Sequence, residues 1–185
     1  ASGLPYSLFL IGPKDTPDNT FGVGNYYHQI LDYEKKYPVL TFYFLDSHKY
    51  SSTGKLFPGY DWIKEAQWNY FQKVYDEQLY HRIKKTPGHH LSMAFFHIPL
   101  PEYLNEASKK RPRERNPLTG NVREGGTAPK YDTNGGAALA HMNVQATSCG
   151  HDHCNDYCLL DDSSNSQIWL CYGGGVGEGG YAGYG

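Results

Sequence analysis

Long apolar runs are missing from this chain of 185 residues. None approaches the roughly 20 residues that a membrane span needs, so no membrane partner is expected. An excess of one charge is missing too: 17 basic and 19 acidic side chains leave a formal net charge of −2. That balance gives no general pull toward polyanions, and no nucleic-acid partner is expected. No G-x-x-x-x-G-K-[ST] run occurs, and the glycines of 173–185 lack the strand–Gly–helix context of a dinucleotide fold. That tail reads as a turn-forming segment anchored by tyrosines, with no catalytic role. No Asn-x-Ser/Thr acceptor is present, so glycosylation says nothing about location. Cysteines number only 4, and the C-x4-C-x3-C spacing of Cys149, Cys154 and Cys158 fits no common structural zinc pattern.

What is plentiful is aromatic surface. Aromatic residues make up 15% of the chain, with 17 tyrosines, and such side chains argue for a packed structure rather than disorder. The hydrophobic share of 39% is modest, which suits a domain completed by another segment. Length alone permits one core.

Periodicity supplies the elements. Residues 25–31 read as a strand, and Pro38 opens a second over 39–45. Asp61 is a plausible helix cap. From Trp62 to about Lys85 the apolar positions Trp62, Ile63, Ala66, Tyr70, Phe71, Val74, Leu79 and Ile83 recur at helical spacing, as a core face does. A strand over 91–96 follows. Two strands joined by a long helix predict a βαβ crossover and a partly parallel sheet, hence an α/β (mixed α+β) fold. Residues 105–136 form a polar loop rich in Pro and Gly, and its basic run, 109–115, is read as solvated because no aromatics interleave with it. Residues 156–160 and 167–172 predict a hairpin through 161–165. Such a hairpin would bring Cys158 and Cys171 within consideration for a disulfide, although spacing alone fixes no connectivity. A disulfide would favour a secretory, vacuolar or extracellular location over the cytoplasm.

Histidine placement carries the chemistry. The β-type run 144–149 ends in Gly150-His151-Asp152-His153, where a glycine turn presents two imidazoles spaced i, i+2 from one rim. Neutral imidazoles suit zinc, manganese or iron. His97 ends the strand over 91–96, just before Ile98-Pro99-Leu100-Pro101, and the prolines stop the ladder there. Strand ends are where α/β folds place ligands. Asp152 reads either as a residue that orients its neighbours or as a solvent-facing turn residue.

Two segments then carry a resemblance. Phe95-Phe96-His97-Ile98-Pro99-Leu100-Pro101-Glu102, followed by Cys149-Gly150-His151-Asp152-His153-Cys154-Asn155-Asp156-Tyr157-Cys158, resembles the last two motifs of the calcineurin-like metallophosphoesterases. The closest branch is that of fungal phosphatases related to plant purple-acid-phosphatase-like proteins. Supporting stretches are Gly22-Val23-Gly24-Asn25-Tyr26-Tyr27, Leu45-Asp46-Ser47, Gly59-Tyr60-Asp61-Trp62-Ile63, Glu124 to Tyr131 and Leu170-Cys171-Tyr172-Gly173-Gly174-Gly175.

The resemblance implies phosphoester hydrolysis at two divalent or trivalent ions (Fe, Zn or Mn) in a four-layer αββα sandwich, of which this chain would be one sheet and its helices. His97 and His151 resemble ligands of one ion, and His153 of the other. Lys130 and Tyr131 are candidates for contact with a phosphorylated substrate. The family's DxH, GDxx and GNH[DE] motifs are missing. Asp46-Ser47-His48 copies the first by spacing only, and its neighbours match the family's Leu-Asp-Ser segment instead.

Residues 1–185 therefore read as the C-terminal portion of one catalytic domain, whether as a fragment, one chain of a nicked enzyme or part of a larger protein. The expected partner is the N-terminal half of that domain, carrying the remaining ligands and docking on exposed apolar surface along the sheet edge. The isolated chain should be inactive. A catalytically inactive binding or regulatory module is the alternative, and a structural metal protein a further one.

Overall fold

A computed structural model of the chain describes residues 3–13, 21–106, 116–162 and 166–175. Seven strands form one mixed sheet in the order β1-β2-β3-β5-β7-β6-β4. They are β1 (Tyr26–Leu31), β2 (Pro38–Phe44), β3 (Leu91–Phe95), β4 (Leu118–Thr119), β5 (Ala146–Cys149), β6 (Cys158–Asp161) and β7 (Ile168–Tyr172). The central strands β2, β3, β5 and β7 run parallel, while β1, β6 and β4 are antiparallel to their neighbours. The fold is mixed α/β, as the sequence pattern predicts.

A helical run joins β2 to parallel β3. It comprises α1 (Glu65–Val74), a π-helical turn (Tyr75–Leu79) and α2 (Tyr80–Ile83). The π turn answers to the apolar spacing: Val74 and Leu79 are five residues apart, yet both are buried. An α-helix would turn one of them outward, whereas the wider turn keeps both on the core. Asp61 does not cap this helix. Its carboxylate is paired with the Lys64 ammonium, and the helix starts from Lys64, whose N–H donates to Gln67 Oε1 at 2.7 Å. The polar stretch before β5 also hides a helix that its glycines disguise, α3 (Gly135–His141), packed against α1.

The sheet's two faces differ. Tyr43, Ala94 and Thr147 lie side by side in register and have no exposed surface, because α1, the π turn and α3 cover them. Alternate residues point the other way. On that second face Tyr26 stacks on Phe44 and Phe44 on Phe95, with ring centroids 4.7 and 5.4 Å apart. Phe42, Phe44, Met93 and Phe95 remain half-buried, and Ile30, Leu91 and Trp169 are exposed.

The hairpin β6–β7 closes as expected. Cys158 and Cys171 are opposite partners and form a disulfide, while Cys149 and Cys154 are buried thiols. Cys158, being in a disulfide, offers no thiolate to a zinc ion. The basic run 109–115, the hairpin tip 163–165 and most of the glycine tail, 176–185, lie outside the described residues. Among the described residues no helix is long and apolar enough to cross a membrane.

Candidate functional site

The parallel strands all end on one rim, and the ladder continues past them. Leu45 N–H donates to Phe95 O, Phe96 N–H to Ser148 O, Gly150 N–H to His97 O and Gly173 N–H to Cys149 O. Strand order in the sheet thus places Asp46-Ser47-His48, His97 and the His151 turn next to each other. Adjacent strand ends of a parallel sheet form the crevice in which open α/β folds place ligands.

The His97 and His151 rings meet edge to face, 5.3 Å between centroids. Gly150 leaves room beside the His97 ring: a Cβ there would lie 3.2 Å from His97 Nδ1, a tight contact. His97 is exposed at the rim, yet partial desolvation of its ring lowers its pKa from the usual histidine value, the charges at His151 and His153 act the same way, and Asp152 opposes them. A neutral ring is the form that coordinates a metal. Ser47 fixes the strand end, its Oγ accepting from His97 N–H at 3.2 Å and Ile98 N–H at 2.8 Å. Tyr60 stands against His151 with a centroid distance of 4.3 Å. His153 sits two residues on, and its carbonyl accepts from Gly175 N–H at 2.8 Å.

Asp152 is buried at 3% exposure, so it is not a solvent-facing turn residue. Its Oδ2 accepts from Thr127 N–H at 2.9 Å and from Tyr172 Oη–H at 2.8 Å. Tyr131 packs against Phe57 and Trp62, with centroids 4.9 and 4.8 Å away, and Lys130 is exposed. No described contact joins either of them to the histidines. Asp46 accepts from Val23 N–H and His48 N–H, and His48 Nε2 bonds Gln67 Oε1 at 2.9 Å. Both groups make hydrogen bonds within the chain, and they line the same cleft as His97.

The donor chemistry fits part of an ion's coordination shell: a neutral imidazole, a second imidazole against it and a third two residues on. The number of donors is short. Among the described residues no group of three or more His, Cys, Asp or Glu side chains is arranged to hold a metal ion. Sequence reasoning missed Ser47, Tyr60 and Tyr172 as neighbours of the histidines. Each lies in a stretch that resembles the family, but nothing in a linear motif says which strand ends adjoin.

No family model matches the chain. No solved structure matches it either. Curated relatives do. The chain is 61% identical over 176 residues to Phosphatase DCR2 of Saccharomyces cerevisiae, covering 95% of this chain and 29% of that protein. It is 36% identical over 184 residues to Probable inactive purple acid phosphatase 29 of Arabidopsis thaliana, covering 94% of this chain and 44% of the relative. Probable inactive purple acid phosphatase 14 of the same plant is 30% identical over 193 residues, at 96% and 44% coverage. The chain thus spans less than half the length of these relatives. It is a homologue of phosphatase-named proteins, and these similarities point to a purple-acid-phosphatase-like family.

Proposed function

We propose that this chain is part of a calcineurin-like metallophosphatase and supplies His97, His151 and His153 to a dinuclear metal centre. The observation that carries the reading is the meeting of the His97 and His151 rings at adjacent strand ends. Two bound ions would supply Lewis-acid activation of a phosphate group and a nucleophile drawn from water. This chain's residues do the holding: Ser47 anchors the end of β3, Gly150 admits His97, and Tyr60 limits the swing of His151. The remaining ligands would come from an N-terminal segment of the same domain.

The half-buried aromatic face of the sheet suits that partner, since a face carrying Phe42, Phe44, Met93, Phe95 and Trp169 is too apolar to be left to water. A second sheet laid there would complete the αββα sandwich. It would also reach the cleft between the strand ends, which the same face borders through Phe44, Phe95 and Ser148.

A second reading rests on two observations. The plant relatives carry "inactive" in their names, and the described residues hold no complete donor set. On that reading the domain keeps its fold and serves as a binding or regulatory module. Intact-mass and metal analysis of the full-length protein, followed by phosphomonoester hydrolysis, decides between them. About two metal equivalents with turnover abolished by His151→Ala supports the phosphatase. A metal-free protein without turnover supports the module.

A further inference from the structure

We propose that Asp152 and Tyr172, together with the 121–127 loop, form a splint that holds the His151–His153 turn in its ligand-presenting shape. Both are positioning residues, not ligands. The inference rests on the reading of the histidines as ligands and adds the device that keeps them in place.

The turn's own hydrogen bonds, from Asp152 N–H to Gly150 O at 2.9 Å and from Asn155 N–H to Asp152 O at 3.2 Å, are supplemented from outside it. His151 has φ of 72°, a left-handed conformation that disfavours any residue with a Cβ and persists only where surrounding contacts impose it. Many of those contacts come from the 121–127 loop, and Tyr172 of β7 adds another. Asp152 Oδ2 takes Thr127 N–H and Tyr172 Oη–H. Asn155, with no exposed surface, takes Arg123 N–H at 3.0 Å and Glu124 N–H at 3.1 Å on Oδ1. Cys154 N–H donates to Glu124 Oε1 at 2.7 Å. Asp156 closes the far end, its N–H donating to Asn121 O and its Oδ1 accepting from Asn121 N–H, while Oδ2 pairs with Arg123 at 2.7 Å.

The pattern alternates with the chemistry. Asp152 lies between the two histidines of the turn and spends Oδ2 inward on the loop, and Asn155 and Asp156 extend the same seam. The seam is closely fitted: a Cβ on Gly126 would lie 3.0 Å from Tyr172 Oη. Tyr172 belongs to β7, so its hydroxyl ties the turn to the sheet as well as to the loop. Without it, the turn could relax out of the left-handed conformation, and the imidazoles would lose their mutual aim.

The test uses the full-length protein that carries this chain, with Zn²⁺ alone as the probe. Zinc affinity is measured by chelator competition, and amide hydrogen exchange is followed across 121–127 and 150–156. Tyr172→Phe keeps the ring and removes the donor, and Asp152→Asn keeps the shape and removes the charge. Each should weaken zinc binding about 10- to 100-fold, the effect typical of residues that orient metal ligands, and should speed exchange in both segments. Asp152→Asn carries the test if Tyr172→Phe does not fold. Unchanged affinity in a folded variant, while His151→Ala abolishes binding, overturns the splint and leaves the ligand reading intact. Unchanged affinity in His151→Ala removes the ligand reading, and the splint with it.

Discussion

Single polar residues decide much of this molecule's stability because so many are buried. Asn155 has no exposed surface and satisfies two backbone N–H groups of the loop beside it. Asn155→Ala should therefore cost about 1 kcal/mol or more in chemical denaturation, the order of a lost intramolecular hydrogen bond. Glu102 is a different case. Its Oε1 accepts from Gly136 N–H at 2.6 Å at the start of α3, whereas Oε2 is buried with no hydrogen-bond partner among the described residues. Burial raises its carboxyl above the ordinary 4.5, although the backbone hydrogen bonds oppose the shift. The folded state then holds a proton that the unfolded state releases. Its contribution is fully present below the unfolded value of about 4.5 and is lost as pH rises through the folded value. Thermal melts of Glu102→Gln against the parent, taken from pH 4 to 8, should diverge in the variant's favour as pH rises. A constant difference across that range would count against the assignment.

At the scale of elements, the crossover helix and the terminal hairpin are held in different ways. Phe71 is fully buried in α1 and meets Tyr43 of β2 edge to face at 5.8 Å. Phe71→Ala should cost about 3–5 kcal/mol, as large core truncations do. Denaturant midpoints at unchanged slope would register it. The hairpin depends on its cross-link. Cys158 and Cys171 are 13 residues apart in sequence and opposite each other on β6 and β7. Closing a loop of that size is worth about 3 kcal/mol through the unfolded chain. Replacing both by Ser should lower the melting temperature, and reductant should lower that of the parent to match. Insensitivity to reductant would argue that the hairpin stands on its pairing alone.

For the whole molecule, the sheet face that the described helices leave open is the feature that sets behaviour. One side of the sheet is sealed by helices, while the other carries stacked Tyr26, Phe44 and Phe95, with Ile30, Leu91 and Trp169 exposed. Among the described residues the exposed apolar side chains Ile30, Leu91 and Trp169 lie on this face, whereas the sequence reading expects exposed apolar surface along the sheet edge. The isolated 185-residue chain should enhance the fluorescence of a hydrophobic dye and self-associate in sedimentation. The full-length protein should do neither. A monomeric isolated chain that ignores the dye would mean the face needs no cover.

The sequence by itself determined the elements with strong local signals. The β2–helix–β3 crossover follows from a stripe of apolar residues between two β-prone runs, and the hairpin from matching runs about a turn, while the Cys158–Cys171 pairing stays open until strand register places the two opposite each other. It also singled out His97, His151 and His153, because histidines at the ends of predicted strands are visible without a fold. It misplaced the helix cap at Asp61, where a local cap competes with the Lys64 ion pair, and it passed over α3, whose glycines look like loop. Only the tertiary structure decided that β3 and β5 are neighbours, and so that the His97 and His151 rings meet. Only it turned Asp152 inward onto Thr127 and Tyr172. The physical reason is common to both: strand order and loop docking are set by contacts between residues distant in sequence, and local periodicity carries no record of them.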